Sequence, residues 1–174
     1  MNIIHINIYK LFIVITMLSG SNAYTNTPSE KDVRDLFKKA SKEESSCKAL
    51  VSILEKYNEK NNPLMAGYRA CATMMLANYT FFPINKLQKF SEGKDLLEKS
   101  IKSDPYNIEL RFLRFTVQNK SPDFLGYNKE IDADKTFLLN SITKIDNPEL
   151  KKIIIDFLSG CDRLTLNEKN KIKS

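Results

Sequence analysis

The chain has 174 residues and a formal net charge of +6 at neutral pH, with 42% hydrophobic and 28% charged residues. That balance suits one globular domain with a core of its own. The only histidine is His5 and the five glycines are isolated, which leaves no material for histidine-based nucleophiles, histidine-rich metal sites, phosphate-cradling loops or dinucleotide fingerprints.

At the N-terminus, residues 1–10 carry one lysine, residues 11–18 (LFIVITML) form an apolar run, and residues 19–23 (SGSNA) end in a small-x-small pattern. This is the layout of a secretory signal cleaved after Ala23, so the chain is expected to be exported to the periplasm or the extracellular space. The run is shorter than the ~20 residues that cross a bilayer, so no integral membrane segment is expected after processing. Loss of the signal removes only Lys10 from the charge and leaves +5 on residues 24–174, one domain. Acids are interleaved with the bases along that domain, unlike the basic stripe of a nucleic-acid binder, and no nucleic-acid partner is expected.

In chain order, CKALVSILEKY places Cys47, Leu50, Val51, Leu54 and Tyr57 on one helical stripe. LMAGYRACATMMLANY is apolar on nearly all sides, as a central buried helix is. FFPINKLQKF reads as a turn whose Phe81, Phe82, Leu87 and Phe90 tuck over the core, with an exposed aromatic patch for a partner as the alternative. LQKFSEGKDLLEKSI carries Leu87, Phe90, Leu97 and Ile101 on one stripe, with Gly93 and Ser100 beside it. ELKKIIIDFL turns Leu150, Ile153, Ile154, Phe157 and Leu158 to one side, and the tail NEKNKIKS reads as a frayed terminus. No stretch alternates with period two for long enough to argue a strand, so the fold class is all-α.

The cysteines Cys47, Cys71 and Cys161 are odd in number, so at least one thiol has no partner in the chain. Cys47 and Cys71 fall on helices expected to be neighbours, with an axial offset of roughly 7 Å that suits a disulfide badly. Buried thiols are expected, although the spacing does not fix their oxidation state.

Asn62-Pro63, Asp104-Pro105 and Asn147-Pro148 lie 42 and 43 residues apart. Asn or Asp followed by Pro marks a helix start, with the first residue as cap and the second at the first helical position. Three such corners predict stacked antiparallel helical hairpins repeating at about 42 residues. The segment GKDLLEKSIKSDPYNIELRFLRF resembles the join between two tetratricopeptide repeats, with Gly93, Leu97, Ser100 and Pro105 at that family's offsets. The offsets fail before Pro63 (Val51, Glu55, Asn58) and before Pro148 (Thr136, Asn140, Thr143), and FFPINKLQKF stretches the family's period. What the resemblance implies is a tetratricopeptide-like α-solenoid fragment, not a regular array. The run ELRFLRFTVQ, followed by Pro122, FLGY, Ile131 and Asp134-Lys135, is also similar to exported helical proteins of bacteria whose activity is not known, which implies no function.

Arg111, Arg114 and Gln118 share one face of an otherwise apolar helix. In one reading they form a clamp, reaching Asp132 or Asp134 on the following helix or carbonyls of the loop SPDFLGY. In the other they line a concave surface and capture an anion, with Tyr127 as an aromatic wall. Glu130, Asp132 and Asp134 are first of all favourable charges at a helix start. The expected function is therefore an exported, non-catalytic binding or scaffold module for a protein or peptide partner. The alternative is a small-anion or small-molecule binder using the arginine stripe, and third comes a carboxylate-dependent enzyme. No cofactor and no metal are expected.

Overall fold

A computed structural model describes residues 27–172, so the signal expected at residues 1–23 lies outside the described residues. Among the described residues the fold is all-α, with eight helices and no strand. They are α1 (Glu30–Ala40), α2 (Glu44–Ile53), α3 (Pro63–Leu76), α4 (Pro83–Ser103), α5 (Ile108–Lys120), α6 (Ile131–Ser141), α7 (Pro148–Ser159) and α8 (Leu166–Lys171). None of these helices is long and apolar enough to cross a membrane.

The helix starts follow the capping chemistry at two of the three expected corners. Asn62 accepts from the N–H of Met65 ahead of Pro63, and Asn147 accepts from Glu149 and Leu150 ahead of Pro148. The third corner differs. Asp104 ends α4, donating its N–H to the carbonyl of Ser100, and Pro105 lies in the turn that follows. A residue before proline is pushed out of the helical region, so Pro105 stops α4 and does not open α5. Asn107 caps α5 instead, accepting from Glu109 and Leu110 while its amide donates to the Asp104 carboxylate at 2.9 Å.

Two other expectations are corrected, and one helix was not expected. FFPINKLQKF is not a tucked turn: Pro83 opens α4 at its first position, which leaves Phe81 and Phe82 ahead of the helix, 87% and 59% exposed. The tail is not frayed over NEKNK, because Thr165 and Glu168 form a capping box for α8 and Ile172 is buried behind it. Helix α1 lay outside the expected segments, yet Val33, Leu36, Phe37 and Ala40 recur along it at helical spacing, and Ser29 and Asp32 form a capping box at its start.

Successive helices from α1 to α6 pack together, and α3 also meets α1 and α5. Helices α3 and α4 approach closely. A Cβ on Gly93 would lie 2.5 Å from the carbonyl oxygen of Ala70, and one on Gly67 would touch Leu97 at 3.6 Å and collide with Leu110. Since residue 67 faces 97 and residue 70 faces 93, these two helices run antiparallel. The core has two parts. One gathers Val33, Leu50, Leu54, Cys71, Leu97 and their neighbours, the other Phe115, Leu138, Ile154, Leu158 and theirs. Helix α5 serves both, giving Leu110 and Leu113 to the first and Phe112 and Phe115 to the second. All three cysteines are free and buried, and the Cys47 thiol donates to the carbonyl of Ala72 at 3.0 Å.

Candidate functional site

Helix α5 is apolar on two sides and charged on the others, and each charged side meets a particular helix. Arg114 donates to Asp134 from Nε (2.7 Å) and Nη2 (2.9 Å), and its Nη1 donates to Glu98 of α4 at 2.8 Å. Arg111 donates to the same Asp134 through Nε, stands 4.6 Å from the centre of the Phe137 ring, and reaches the carbonyl of Pro105 at 3.4 Å. Asp134 is wholly buried, in the first turn of α6. The Tyr127 hydroxyl donates to the other oxygen of Glu98, which ties the loop before α6 into the same network. Asp132 stays outside, with only a 3.9 Å contact to Lys135, and Gln118 is buried with no hydrogen-bond partner for its Oε1. The stripe is therefore neutralised from within by Asp134 and Glu98. The loop is held through Tyr127, not through guanidinium contacts to its carbonyls.

A second buried pair lies on the opposite side of α5. Arg34 of α1 donates to Glu109 from Nε (2.6 Å) and Nη2 (2.7 Å), and Nη2 also reaches Glu30 at 2.7 Å. The Tyr68 hydroxyl of α3 donates to Glu109 as well, while its ring packs edge-on against Phe37. The fork of an arginine suits such two-oxygen contacts. Hydrogen bonding to Glu109 outweighs burial and holds the Arg34 guanidinium above its usual range. For Arg114, burial opposes the charge, but the bonds to Asp134 and Glu98 outweigh it and the pKa is raised. Burial, reinforced by the carboxylate each one faces, pushes the phenols of Tyr68 and Tyr127 well above the ordinary tyrosine value.

Between α1, α3, α4, α5 and α7 runs a groove of about 1040 Å³. Phe37, Met74, Phe90, Phe112, Leu150 and Phe157 are among the residues that line it, and the Arg34–Tyr68 network borders it. Its rim is apolar too: Leu87 is 49% exposed, Ile153 37% and Phe124 82%. Little in the sequence announces this groove, because its walls come from helices that start at residues 30, 63, 83, 108 and 148. Arg34, Glu98 and Glu109 escaped notice for a similar reason. Each is a charged residue within a helix, where a solvated position is the ordinary outcome. The one sequence signal was Glu109, set between apolar Ile108 and Leu110.

No group of three or more His, Cys, Asp or Glu among the described residues is placed to hold a metal ion. Comparison with protein-family models, curated proteins and solved structures finds no match to this chain.

Proposed function

We propose that the protein is an exported, non-catalytic binding or scaffold module, built of tetratricopeptide-like helical hairpins, that offers this groove to a protein or peptide partner. The observation that carries the proposal is the continuity of the apolar lining with large exposed side chains at the rim. A contiguous apolar surface rimmed by polar residues marks an interaction site. A site for a small molecule closes over most of its ligand. Here Leu87, Phe124 and Ile153 stand open on the rim, which fits a longer occupant that lays an apolar face along the groove. Capture of an anion by the arginine stripe finds no such support, since Arg111 and Arg114 are paired with acids of the fold itself.

The test is site-specific photocrosslinking in the cells that make the protein, with the photoreactive side chain placed at Phe124. Discrete adducts are expected from Phe124, none from the equally exposed Tyr106, and none from Phe124 when Ile153→Arg is also present. Equal adducts from both positions, or none from either, would overturn the proposal. Mass spectrometry of the same material is expected to find Tyr24 as the first residue. An intact Met1 in the membrane fraction would contradict export by a cleaved signal.

A further inference from the structure

The charges around the groove discriminate between possible partners. Its acids are already occupied: Asp35 and Glu149 by Lys31 (2.7 and 3.4 Å) and Asp156 by Lys152 (2.7 Å). Arg34 is held by Glu109 and Glu30. Three further lysines line the groove, Lys38 on α1, Lys86 on α4 and Lys120 on α5. All three are exposed, and none makes an ion pair among the described residues. Helix dipoles account for Lys38 and Lys120, which sit in the last turns of their helices. Lys86 is the exception. It stands at the positive end of α4, whose first turn contains no acid and whose cap makes no side-chain bond. The charge left over at the rim is therefore positive and comes from three different helices.

Resting on the groove as the binding site, we infer that its occupant is an amphipathic helical segment whose apolar face is flanked by carboxylates. The apolar lining takes anchors spaced at i, i+3 or i+4, and i+7, as helices use when they lie in a groove. The rim lysines set its charge, since complementary charge at a rim governs association and choice of partner more than raw affinity. An acyl chain with an anionic head would share part of this chemistry. The open rim with its exposed Leu87, Phe124 and Ile153 favours the helix, because a single chain would leave most of that apolar surface wet.

Selection from a displayed library of random helical peptides, using the protein as purified from cells, tests the inference. Groove-dependent peptides are those lost with Ile153→Arg, with Leu87→Arg as the second variant should the first fail to fold by circular dichroism. They are expected to show the apolar spacing and an excess of Asp and Glu over Lys and Arg. A selected peptide is expected to bind the Lys38→Glu, Lys86→Glu, Lys120→Glu triple variant at least tenfold more weakly, and to weaken with added salt. Groove-dependent peptides that are neutral or basic would overturn the inference while leaving the groove as a binding site. If both Arg variants fold and no peptide depends on the groove, the groove reading itself falls. Saturable one-to-one binding of palmitate that is lost in the same variants, with no peptide selected, would assign the groove to a lipid and overturn the inference.

Discussion

Asp134 stands between two guanidiniums with no access to water, and that placement decides what its removal does. Replacing it leaves Arg114, itself buried, without its two-oxygen partner, and breaking a buried pair in this way costs about 3–5 kcal/mol. At about 2–4 °C per kcal/mol for a chain of this size, Asp134→Ala is expected to lower the melting temperature by roughly 10 °C. Arg114→Lys is expected to recover little, because a point charge cannot bond to both oxygens of Asp134 and to Glu98 at once. Asp132→Ala is the control, at a solvated side chain where changes stay within about 0.5 kcal/mol. Thermal melts of the three variants decide it, and equal melting temperatures for the two aspartate variants would refute the assignment. The sequence offered both aspartates as partners of the stripe. The helical repeat of α6 separates them, since Ile131, Asp134 and Leu138 share its buried face and Asp132 does not.

Among the elements, α4 shows what local pattern can and cannot convey. Its middle was legible, because Leu97 and Ile101 recur at helical spacing and both are buried. Its start was not, since Phe81, Phe82 and Ile84 look like core residues and the structure leaves them in solvent. Apolar character alone does not say whether a face has a partner within the same chain. Nor could spacing assign Pro105, whose role as a stop depends on Asn107 lying close enough to start the next helix. Gly93 was legible as a small residue, and its reason is the 2.5 Å approach of the Ala70 carbonyl to the place a Cβ would take. In an open helix, alanine for glycine gains about 1 kcal/mol. Here α3 must move away, and overpacking costs typically about 1–3 kcal/mol. Gly93→Ala is expected to destabilise the protein in urea titrations, and any gain in stability would show that α3 and α4 are not in close contact at that point.

Across the whole molecule, the buried phenols and thiols make stability sensitive to alkali. Cys47 is pushed up to about 11, mainly by burial and then by Glu44, and burial raises Cys71 further. Tyr68 and Tyr127 are raised in the same sense. Below about pH 8 these groups are protonated in folded and unfolded chains alike, so they add no pH dependence. From about pH 9 for the thiols and about pH 10 for the phenols, the unfolded chain releases protons that the folded chain keeps, and stability falls as pH rises. Urea midpoints are expected to drop across that range, and less steeply in Tyr68→Phe and Tyr127→Phe, once each variant's own loss at neutral pH is subtracted. An unchanged slope in both variants would remove the phenols from the explanation. The sharing of α5 between both core clusters has a consequence for the order in which a ribosome delivers the chain. Arg34 leaves early and meets Glu109 only 75 residues later, and the first cluster lacks Leu110 and Leu113 until then. A nascent chain that already holds α1 to α4 thus carries an arginine paired with Glu30 alone and an open core, with nothing yet to complete them. A product cut off before Asn107 is on this account not a smaller working protein but an unfinished one, and proteolysis is expected to remove it.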